Sequence, residues 1–271
     1  MEHLIDSHLH LPTDTSDGNI EKIISEAIAE GITKLITIGT SLEDSEESLK
    51  VSSKFPEVYT AVGIYPHKHR NLTIPEISEK LENIVKKGLD KALGYKLIGV
   101  GECGIDLTGW EKQRSLDEQT ELFEMQVALA IRNKLPLVIH NRNGDAQIIS
   151  ILKKYKATNL TGVVHCFSST WEVAKGFLDL GFYLSFSGMI TYPVRKELRE
   201  VLRKVPQSKI LVETDSPYLA PQGHRGEMNH PKYVKIVALK VAEARDELFS
   251  DVCRYICLNT QTLFNLSPLV V

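Results

Sequence analysis

Eight short β-prone runs, separated by longer amphipathic stretches, constrain most strongly what this chain can fold into. The predicted strands are Leu4–His8, Lys34–Gly39, Tyr59–Ile64, Leu97–Glu102, Leu137–His140, Gly162–Cys166, Phe182–Ser185 and Ile210–Glu213. Strands that alternate with helical patterns are typical of a parallel sheet, in which each helix carries the chain back to the start of the next strand. The sequence therefore predicts an α/β fold.

The stretches between these runs carry apolar residues at helical spacing. Ile20–Glu30 places its apolar side chains on one face and is followed by Gly31, a residue typical of helix ends. Gln119–Arg132 repeats the pattern, and Trp171–Leu180 also stops at a glycine. Pro231–Arg245 begins with a proline, which suits the first turn of a helix. These patterns predict helices between the strands.

Eight strands with helices between them favour a single (β/α)8 TIM barrel whose active site lies at the carboxyl ends of the strands. The length of 271 residues suits one such barrel, so we predict a single domain over residues 1–271. A doubly wound sheet is the alternative, but that fold rarely needs eight strands. Its phosphate-loop signature is also absent, because no G-x-G-x-x-G follows the first strand and no G-x-x-x-x-G-K occurs.

The charge and the apolar content of the chain exclude several classes of protein. The 32 basic and 35 acidic residues give a formal charge of −3, and 42% of the residues are apolar. This balance is typical of globular domains and argues against a basic coat protein for nucleic acid, although it permits a local grip on a few phosphates. No apolar run reaches the roughly 20 residues of a membrane span, and the N-terminus lacks signal-peptide features. We therefore expect a cytoplasmic protein with no membrane association and no obligate protein partner.

Residues that commonly bind metals lie at the carboxyl ends of five predicted strands. They are His8, His10, Glu102, His140, His165 and Asp215. In a barrel these strand ends meet on one face, so residues far apart in sequence converge there. His8 and His10 alternate along a strand, and their side chains are therefore expected to point to the same side.

Each of these residues also has an ordinary structural explanation. A lone histidine that ends an apolar strand, such as His140 or His165, is more often a hydrogen-bonded core residue than a metal ligand. An ionised carboxylate at the end of a buried strand, as at Glu102 or Asp215, is unfavourable unless it is paired or bound to metal. The coincidence of six such residues at strand ends favours a metal site over six separate explanations.

Four imidazoles and two carboxylates exceed the ligands that one tetrahedral ion needs. The set suits two divalent ions with Glu102 as the bridging carboxylate, while Asp215 holds one ion and accepts a proton from the attacking water. Glu102 and Asp215 are therefore the candidate catalytic residues. The mixture of ligand types leaves the identity of the ions open among Mg²⁺, Mn²⁺ and Zn²⁺.

Eight stretches of the chain, several of which contain these residues, resemble motifs of the TatD family of metal-dependent deoxyribonucleases, within the amidohydrolase-like barrels. The stretches are DSHLHL at Asp6–Leu11, VGIYPH at Val62–His67, GECGID at Gly101–Asp106, LPLVIHNR at Leu135–Arg142, GVVHCFS at Gly162–Ser168, FYLSFSG at Phe182–Gly188, LVETDSPYLAP at Leu211–Pro221 and GHRGEMNHP at Gly223–Pro231. They run nearly from end to end, and their order and spacing together make the resemblance specific.

The resemblance implies a single barrel that hydrolyses phosphodiester bonds with divalent metal, typically in DNA and often from the 3′ end. DNA, either single-stranded or at 3′ ends, would then be the substrate and partner. By motif, one ion takes as ligands His8, His10, Glu102 and Asp215. The second ion takes as ligands Glu102, His140 and His165.

The chain departs from the family pattern at two positions. The family often has histidine where Tyr65 stands, which leaves His67 as the histidine of that motif, and it usually has an aromatic residue in place of Leu107. The residues expected to contact substrate are Tyr65, His67, Arg142 and Arg225. The two arginines lie inside matching motifs, and arginine pairs bidentately with phosphate. Trp110 is a further candidate, since an indole can stack on a base.

Two other functions stay open from the sequence. A hydrolase of the same barrel class could act on an ester or amide of a small molecule, or on an aminoacyl-tRNA, with nearly the same ligands. A closed apolar pocket would favour such a small neutral substrate, whereas arginines near the metals favour phosphate. A non-catalytic binding protein on a barrel scaffold is the other alternative, but it leaves the paired ions and the proton acceptor without a use.

Overall fold

The computed structural model describes residues 2–12, 19–109 and 113–267. Its strands are β1 (Leu4–Leu9), β2 (Ile32–Ile38), β3 (Val58–Val62), β4 (Leu97–Asp106), β5 (Leu137–Arg142), β6 (Gly162–Val164), β7 (Tyr183–Phe186) and β8 (Ile210–Val212). The α-helices in this part of the chain are α1 (Asn19–Ala29), α2 (Leu42–Lys54), α3 (Ile74–Leu89), α4 (Leu116–Asn133), α5 (Asp145–Lys154), α6 (Trp171–Leu178), α7 (Lys196–Lys204), α8 (Val234–Arg245) and α9 (Phe249–Phe264). Among the described residues, no helix has the length and apolar character that crossing a membrane requires.

The strands form one eight-stranded sheet in which each strand neighbours the next one in sequence, in the order β1 to β8. The pairs β1–β2, β3–β4, β4–β5, β5–β6 and β7–β8 are parallel. At least one α-helix follows each strand before the next begins. This connectivity is that of a (β/α)8 TIM barrel, so the predicted fold class is confirmed.

Contacts along the chain divide it into two compact units. Unit one comprises the described residues within Met1–Thr37, His165–Leu178 and Tyr183–Val271. Unit two comprises the described residues within Ile38–Val164 and Asp179–Phe182. The single domain expected over residues 1–271 stays a prediction.

Within unit one, the segments that follow β1 and β8 are joined by backbone hydrogen bonds. The amide of Asp215 donates to the carbonyl of His8 at 2.9 Å, and the amide of His10 donates to the carbonyl of Ser216 at 2.7 Å. These bonds fasten the carboxyl end of the first strand to that of the last. Side chains carried by the two ends are therefore held side by side.

Unit two buries the apolar faces of α2, α3 and α4 against β3 and β4. Leu49, Leu81 and Leu122, one from each helix, have at most 1% of their surface exposed. Gln126 on α4 fixes the chain just after β3, because its side-chain oxygen accepts from the amide of Ile64 at 2.8 Å and its nitrogen donates to the carbonyl of the same residue at 3.0 Å. These two hydrogen bonds therefore fix the backbone at the start of the segment that follows β3.

Strand β4 is longer than the sequence pattern predicts. It was expected to end at Glu102 but runs to Asp106, because its pairing with β5 continues as far as Asp106 opposite Arg142. Gly104 makes the extension possible, since its φ is 147° and a Cβ there would lie 1.9 Å from the carbonyl oxygen of His140. The additional paired residues of β4 place Asp106 beside His140.

The remaining boundaries differ from prediction by a few residues. Strand β6 ends at Val164 rather than at Cys166, the predicted end, so His165 lies in the loop that follows. In this loop Cys166 has a φ of 47°, in the left-handed region. Strand β8 ends at Val212. The predicted start of the eighth helix is a short 3₁₀ turn, Pro231–Tyr233, that leads into α8.

Candidate metal centre

Three side chains beside β1 and β8 bring their ligand atoms together in unit one. His8 Nε2 lies 3.3 Å from His10 Nε2, and these nitrogens lie 3.6 and 3.5 Å from Asp215 Oδ1. In a tetrahedral zinc site with bonds of about 2.0–2.1 Å, neighbouring ligand atoms are roughly 3.3–3.4 Å apart. Two imidazole nitrogens and a carboxylate oxygen at this spacing fit one divalent ion.

The backbone after β8 places the carboxylate of Asp215. This residue has a φ of 59°, in the left-handed region that is uncommon for residues other than glycine. Its amide donates to His8, and its carbonyl accepts from the amide of Tyr218 at 2.8 Å. The hydroxyl oxygen of Thr214 accepts from the amide of Ser216 at 3.1 Å. Hydrogen bonds on both sides therefore hold the turn that aims Asp215 at the two histidines.

His165 joins this group from the loop after β6. Its ring stacks on the ring of His8, with centroids 3.9 Å apart and planes within 8° of parallel. Its Nδ1 lies 3.4 Å from Oε1 of Glu213, a fully buried residue whose carboxyl pKa is raised by burial. Sequence reasoning missed Glu213, although this residue ends the predicted eighth strand close to Asp215.

Asp6 is a second buried carboxyl that sequence reasoning missed. Its Oδ1 accepts from the amide of Thr214 at 2.9 Å, and its Oδ2 accepts from the hydroxyl of the same residue at 2.5 Å. Burial raises the pKa of Asp6 to about 8, although the hydrogen bonds from Thr214 act in the opposite direction. Asp6 thus ties β1, which carries His8, to the segment that carries Asp215.

His140 in unit two lies between two carboxylates. Its Nδ1 is 2.7 Å from Glu102 Oε1, and its Nε2 is 3.2 Å from Asp106 Oδ2. A neutral imidazole has a single N–H, so it can donate to only one of the two. The other contact requires a cation, either a second proton on the ring or a metal ion. Glu102 and His140 therefore also fit a divalent ion.

Asp106 is fully buried and accepts hydrogen bonds on both of its oxygens. Thr108 donates to Oδ1 from its amide at 2.9 Å and from its hydroxyl at 2.5 Å, while Tyr65 donates its hydroxyl to Oδ2 at 2.5 Å. Burial acts to raise the pKa of Asp106, but the hydrogen bonds from these side chains and from His140 outweigh it and hold the pKa well below its usual range. Sequence reasoning missed Asp106, whose only signal was its place in the Gly-Ile-Asp stretch.

Tyr65 and His67, both predicted to contact substrate, lie in the segment after β3. The ring of Tyr65 meets that of His140 edge-on, with centroids 4.8 Å apart. His67 Nδ1 accepts from the amide of Arg114 at 3.2 Å, and burial lowers the pKa of His67. The ring is therefore neutral and carries its proton on Nε2. This N–H is buried and has no hydrogen-bond partner within the described part of the chain.

The two predicted phosphate-binding arginines occupy different surroundings. Arg142 is the last residue of β5 and is exposed. Arg225 is exposed in the loop after β8, where its guanidinium lies 4.6 Å from the centroid of the Tyr192 ring. Trp110 lies outside the described residues. Substrate contact by these side chains stays a prediction.

The predicted ligands fall into two groups, one in each unit. Unit one brings together His8, His10, His165 and Asp215. Unit two brings together Glu102 and His140, with Tyr65 beside them through Asp106. Both groups lie at or just beyond the carboxyl ends of strands, where the sequence pattern placed them.

Comparisons with known proteins match the chain almost from end to end. A sequence model of the family described as TatD related DNase matches residues 5–265. YabD of Bacillus subtilis strain 168, an uncharacterized metal-dependent hydrolase, is 31% identical over 264 residues, which cover 97% of this chain and 100% of YabD.

Solved structures show the same fold. The crystal structure of YjjV, a TatD homologue from Escherichia coli K12, has a TM-score of 0.88 and 29% identity, and the match covers 97% of this chain and 98% of YjjV. An uncharacterized amidohydrolase from Saccharomyces cerevisiae has a TM-score of 0.81 at 16% identity, over 97% of this chain and 100% of the yeast protein. At that identity the yeast protein supports the fold alone.

Proposed function

The chain belongs to the TatD-related DNase family of metal-dependent hydrolases, and from that premise we propose that it is a deoxyribonuclease that cleaves phosphodiester bonds with a metal-activated water. Cleavage from the 3′ end of single-stranded DNA is the mode we expect. The description of the family suggests the reaction class, and the geometry of the two ligand groups supports the requirement for metal.

The observation that carries the proposal is the triangle formed by His8 Nε2, His10 Nε2 and Asp215 Oδ1. Its sides of 3.3, 3.6 and 3.5 Å suit the ligands of a single ion. Like-charged or lone-pair-bearing atoms this close repel one another unless a proton or an ion lies between them. A group of this kind at the ends of β1 and β8 is what a hydrolytic metal site requires.

Under this proposal the ions would be Mg²⁺, Mn²⁺ or Zn²⁺. The residues that would supply ligands are His8, His10, His165 and Asp215 in unit one, and Glu102 and His140 in unit two. When bound, the ions lower the pKa of the attacking water and neutralise charge on the phosphate.

The protein side chains then have separate tasks. Asp215, which is 8% exposed and faces two imidazoles, accepts the proton of the attacking water. Arg142 and Arg225 pair with non-bridging phosphate oxygens, because a guanidinium offers two parallel N–H donors. His67 presents an N–H donor to the substrate. All of these side chains lie at or beyond the ends of strands, a position that suits a substrate approaching the carboxyl ends of the sheet.

The test is a cleavage assay with a panel of metals. Purified protein, stripped with chelator, is incubated with Mg²⁺, Mn²⁺ or Zn²⁺ and single-stranded DNA labelled at its 5′ end, so that 3′ trimming gives a ladder. The matched control is Asp215→Asn, which we expect to remove the ladder while leaving the circular dichroism spectrum unchanged. The proposal fails if no metal supports nucleotide release, and ester or aminoacyl-tRNA hydrolysis in parallel tubes would then identify the other reaction class.

A further inference from the structure

One exposed aromatic ring lies beside the predicted metal ligands of unit one. Within the described part of the chain, Tyr218 is the aromatic residue that is exposed, with 61% of its surface accessible, whereas the other aromatic residues there are buried or half-buried. A single exposed apolar side chain needs no functional explanation by itself. Tyr218 does need one, because it follows the predicted ligand Asp215 by three residues.

The ring of Tyr218 contacts a second predicted ligand, His10. The centroids of the two rings lie 5.9 Å apart, and their planes meet at 66°. His10 Nε2 in turn lies 3.5 Å from Asp215 Oδ1. The tyrosine ring is therefore one side chain away from the triangle of ligand atoms, and its exposed surface leaves room for another ring to stack on it.

Hydrogen bonds hold the backbone of Tyr218 on both sides. Its amide donates to the carbonyl of Asp215 at 2.8 Å, and its carbonyl accepts from the side-chain nitrogen of Asn229 at 2.5 Å. The same nitrogen of Asn229, a buried residue, donates to the carbonyl of Thr214 at 2.8 Å. Asn229 thus bridges the chain on either side of Asp215, so one fixed turn carries both the carboxylate and the exposed ring.

A guanidinium lies beside the continuation of this turn. The hydroxyl of Tyr192 donates to the carbonyl of Ala220 at 2.8 Å, and the guanidinium of Arg225 lies 4.6 Å from the centroid of the Tyr192 ring. A guanidinium pairs with phosphate, whereas an exposed aromatic ring stacks with a base. The segment after β8 therefore carries both kinds of group that bind a nucleotide.

We propose that Tyr218 is a substrate-binding residue on which a nucleobase stacks, namely the base of one of the two nucleotides joined by the scissile phosphate. The inference rests on the nuclease function proposed above and adds the residue that contacts the base. Successive bases of a stacked strand are about 3.4 Å apart, so a ring 5.9 Å from His10 is within reach of the bases that flank this phosphate and far from more distant bases. Since every base has a π-face, the contact does not select a sequence.

Binding of single-stranded oligonucleotides that lack one base tests this contact. Each probe carries a 5′ fluorophore, phosphorothioate linkages near its 3′ end to suppress cleavage, and one abasic residue at the terminal, the penultimate or an internal position. Fluorescence anisotropy in the presence of Mn²⁺ gives the Kd. For wild type, removal of a base at one of the two terminal positions should weaken binding by about 5–100-fold, the effect of one stacked base, and removal of the internal base should have less effect.

Two variants separate the aromatic ring from the rest of the site. Tyr218→Ala should weaken binding of the intact oligonucleotide by about 5–100-fold and remove the penalty for the missing terminal base. Tyr218→Phe keeps the ring and should bind within about twofold of wild type. The metal content should not change in either variant, because residue 218 is bonded to Asp215 and Asn229 through its backbone.

Leu248→Ala is the matched control. Leu248 is another exposed apolar residue of unit one, with 71% of its surface accessible, and it immediately precedes α9. Its replacement removes a similar exposed apolar side chain away from the turn that carries Tyr218. This variant should bind every oligonucleotide with the Kd of wild type and show the same penalty for the missing base.

The outcomes separate this inference from the proposed function. The inference is wrong if Tyr218→Ala binds like wild type, or if it binds weakly but keeps the full penalty for the missing base, since the ring would then contact the sugar or phosphate. If the penalty disappears in Tyr218→Ala but no metal supports cleavage of unmodified DNA, base stacking stands and the nuclease function fails. If wild type cleaves DNA and Tyr218→Ala has the same KM, the function stands and base stacking fails. Absence of binding by wild type would contradict both.

Discussion

Two buried aspartates, Asp6 in unit one and Asp106 in unit two, lie beside predicted metal ligands and have carboxyl pKa values shifted in opposite directions. Both side chains are fully buried, and each lies next to a predicted histidine ligand. Burial raises the pKa of Asp6 to about 8, whereas hydrogen bonds hold the pKa of Asp106 well below its usual range. Burial alone therefore does not decide the charge of a carboxyl.

The difference comes from the donors that surround each carboxyl. Both accept from the amide and the hydroxyl of one threonine, Thr214 for Asp6 and Thr108 for Asp106. Asp106 gains a tyrosine hydroxyl and an imidazole in addition. Asp6 gains the amide of His8 at 3.4 Å, but the carboxyl of Glu213 nearby raises the pKa of Asp6. Two added donors at Asp106, against one long contact and an acidic neighbour at Asp6, explain the opposite shifts.

The largest effect is expected when one predicted ligand is removed from either unit. Asp215→Asn in unit one and Glu102→Gln in unit two should each lower kcat on single-stranded DNA by about 10²–10⁴-fold, because a positioned proton acceptor or a charged ligand is lost. The measurement is steady-state cleavage of labelled oligonucleotide, together with the metal content of each variant. Comparable losses from both substitutions would show that the two groups act in one reaction.

The control for that pair is Glu243→Gln, an equivalent change at an exposed position on α8. It should leave kcat unchanged. Full activity in either Asp215→Asn or Glu102→Gln would contradict the assignment of that residue.

Asp106→Asn should destabilise the metal-free protein in a pH-dependent way. The native pKa of Asp106 is depressed, so its ionised form contributes stability above its unfolded pKa of about 3.9, and this contribution is lost as pH falls toward the native pKa. We expect the variant to be less stable than wild type by about 1–3 kcal/mol at neutral pH. Urea denaturation between neutral pH and pH 3 should show this difference shrinking as pH falls.

Asp6→Asn should show the opposite trend. The native pKa of Asp6 is raised, so the stability it contributes is full below about pH 3.9 and is lost as pH rises toward about 8. The stability of the variant relative to wild type should therefore improve as pH rises from about 4 to 8. Urea denaturation of chelator-treated protein over the same pH range tests this prediction. Parallel pH trends in the two aspartate variants would contradict the opposite pKa shifts of Asp6 and Asp106.

The smallest effect is expected from the exposed arginines, one in each unit. Arg142→Ala and Arg225→Ala should each raise KM for DNA by about threefold to tenfold while metal content stays unchanged, since one charge-assisted contact to phosphate is worth on the order of 1 kcal/mol at an exposed site. The salt dependence of KM should also decrease. An unchanged KM in both variants would withdraw the phosphate contacts.

The sequence by itself determined the α/β alternation, the eight strands and the position of the predicted ligands at strand ends. These features are local: helical and strand periodicity is set by neighbouring residues, and in a parallel sheet every strand delivers its last residues to the same edge. The motifs around His8, Glu102 and Asp215 were sufficient to indicate the family.

Only the tertiary structure decided which groups support those ligands and in which state of charge. Thr214 reaches Asp6 across 208 residues and Tyr65 reaches Asp106 across 41, and no periodicity in the sequence links such pairs. The extension of β4 past Glu102 also depends on close approach of two backbones at Gly104. Hydrogen-bond partners and burial arise when distant segments pack, and together they set the pKa of a buried carboxyl.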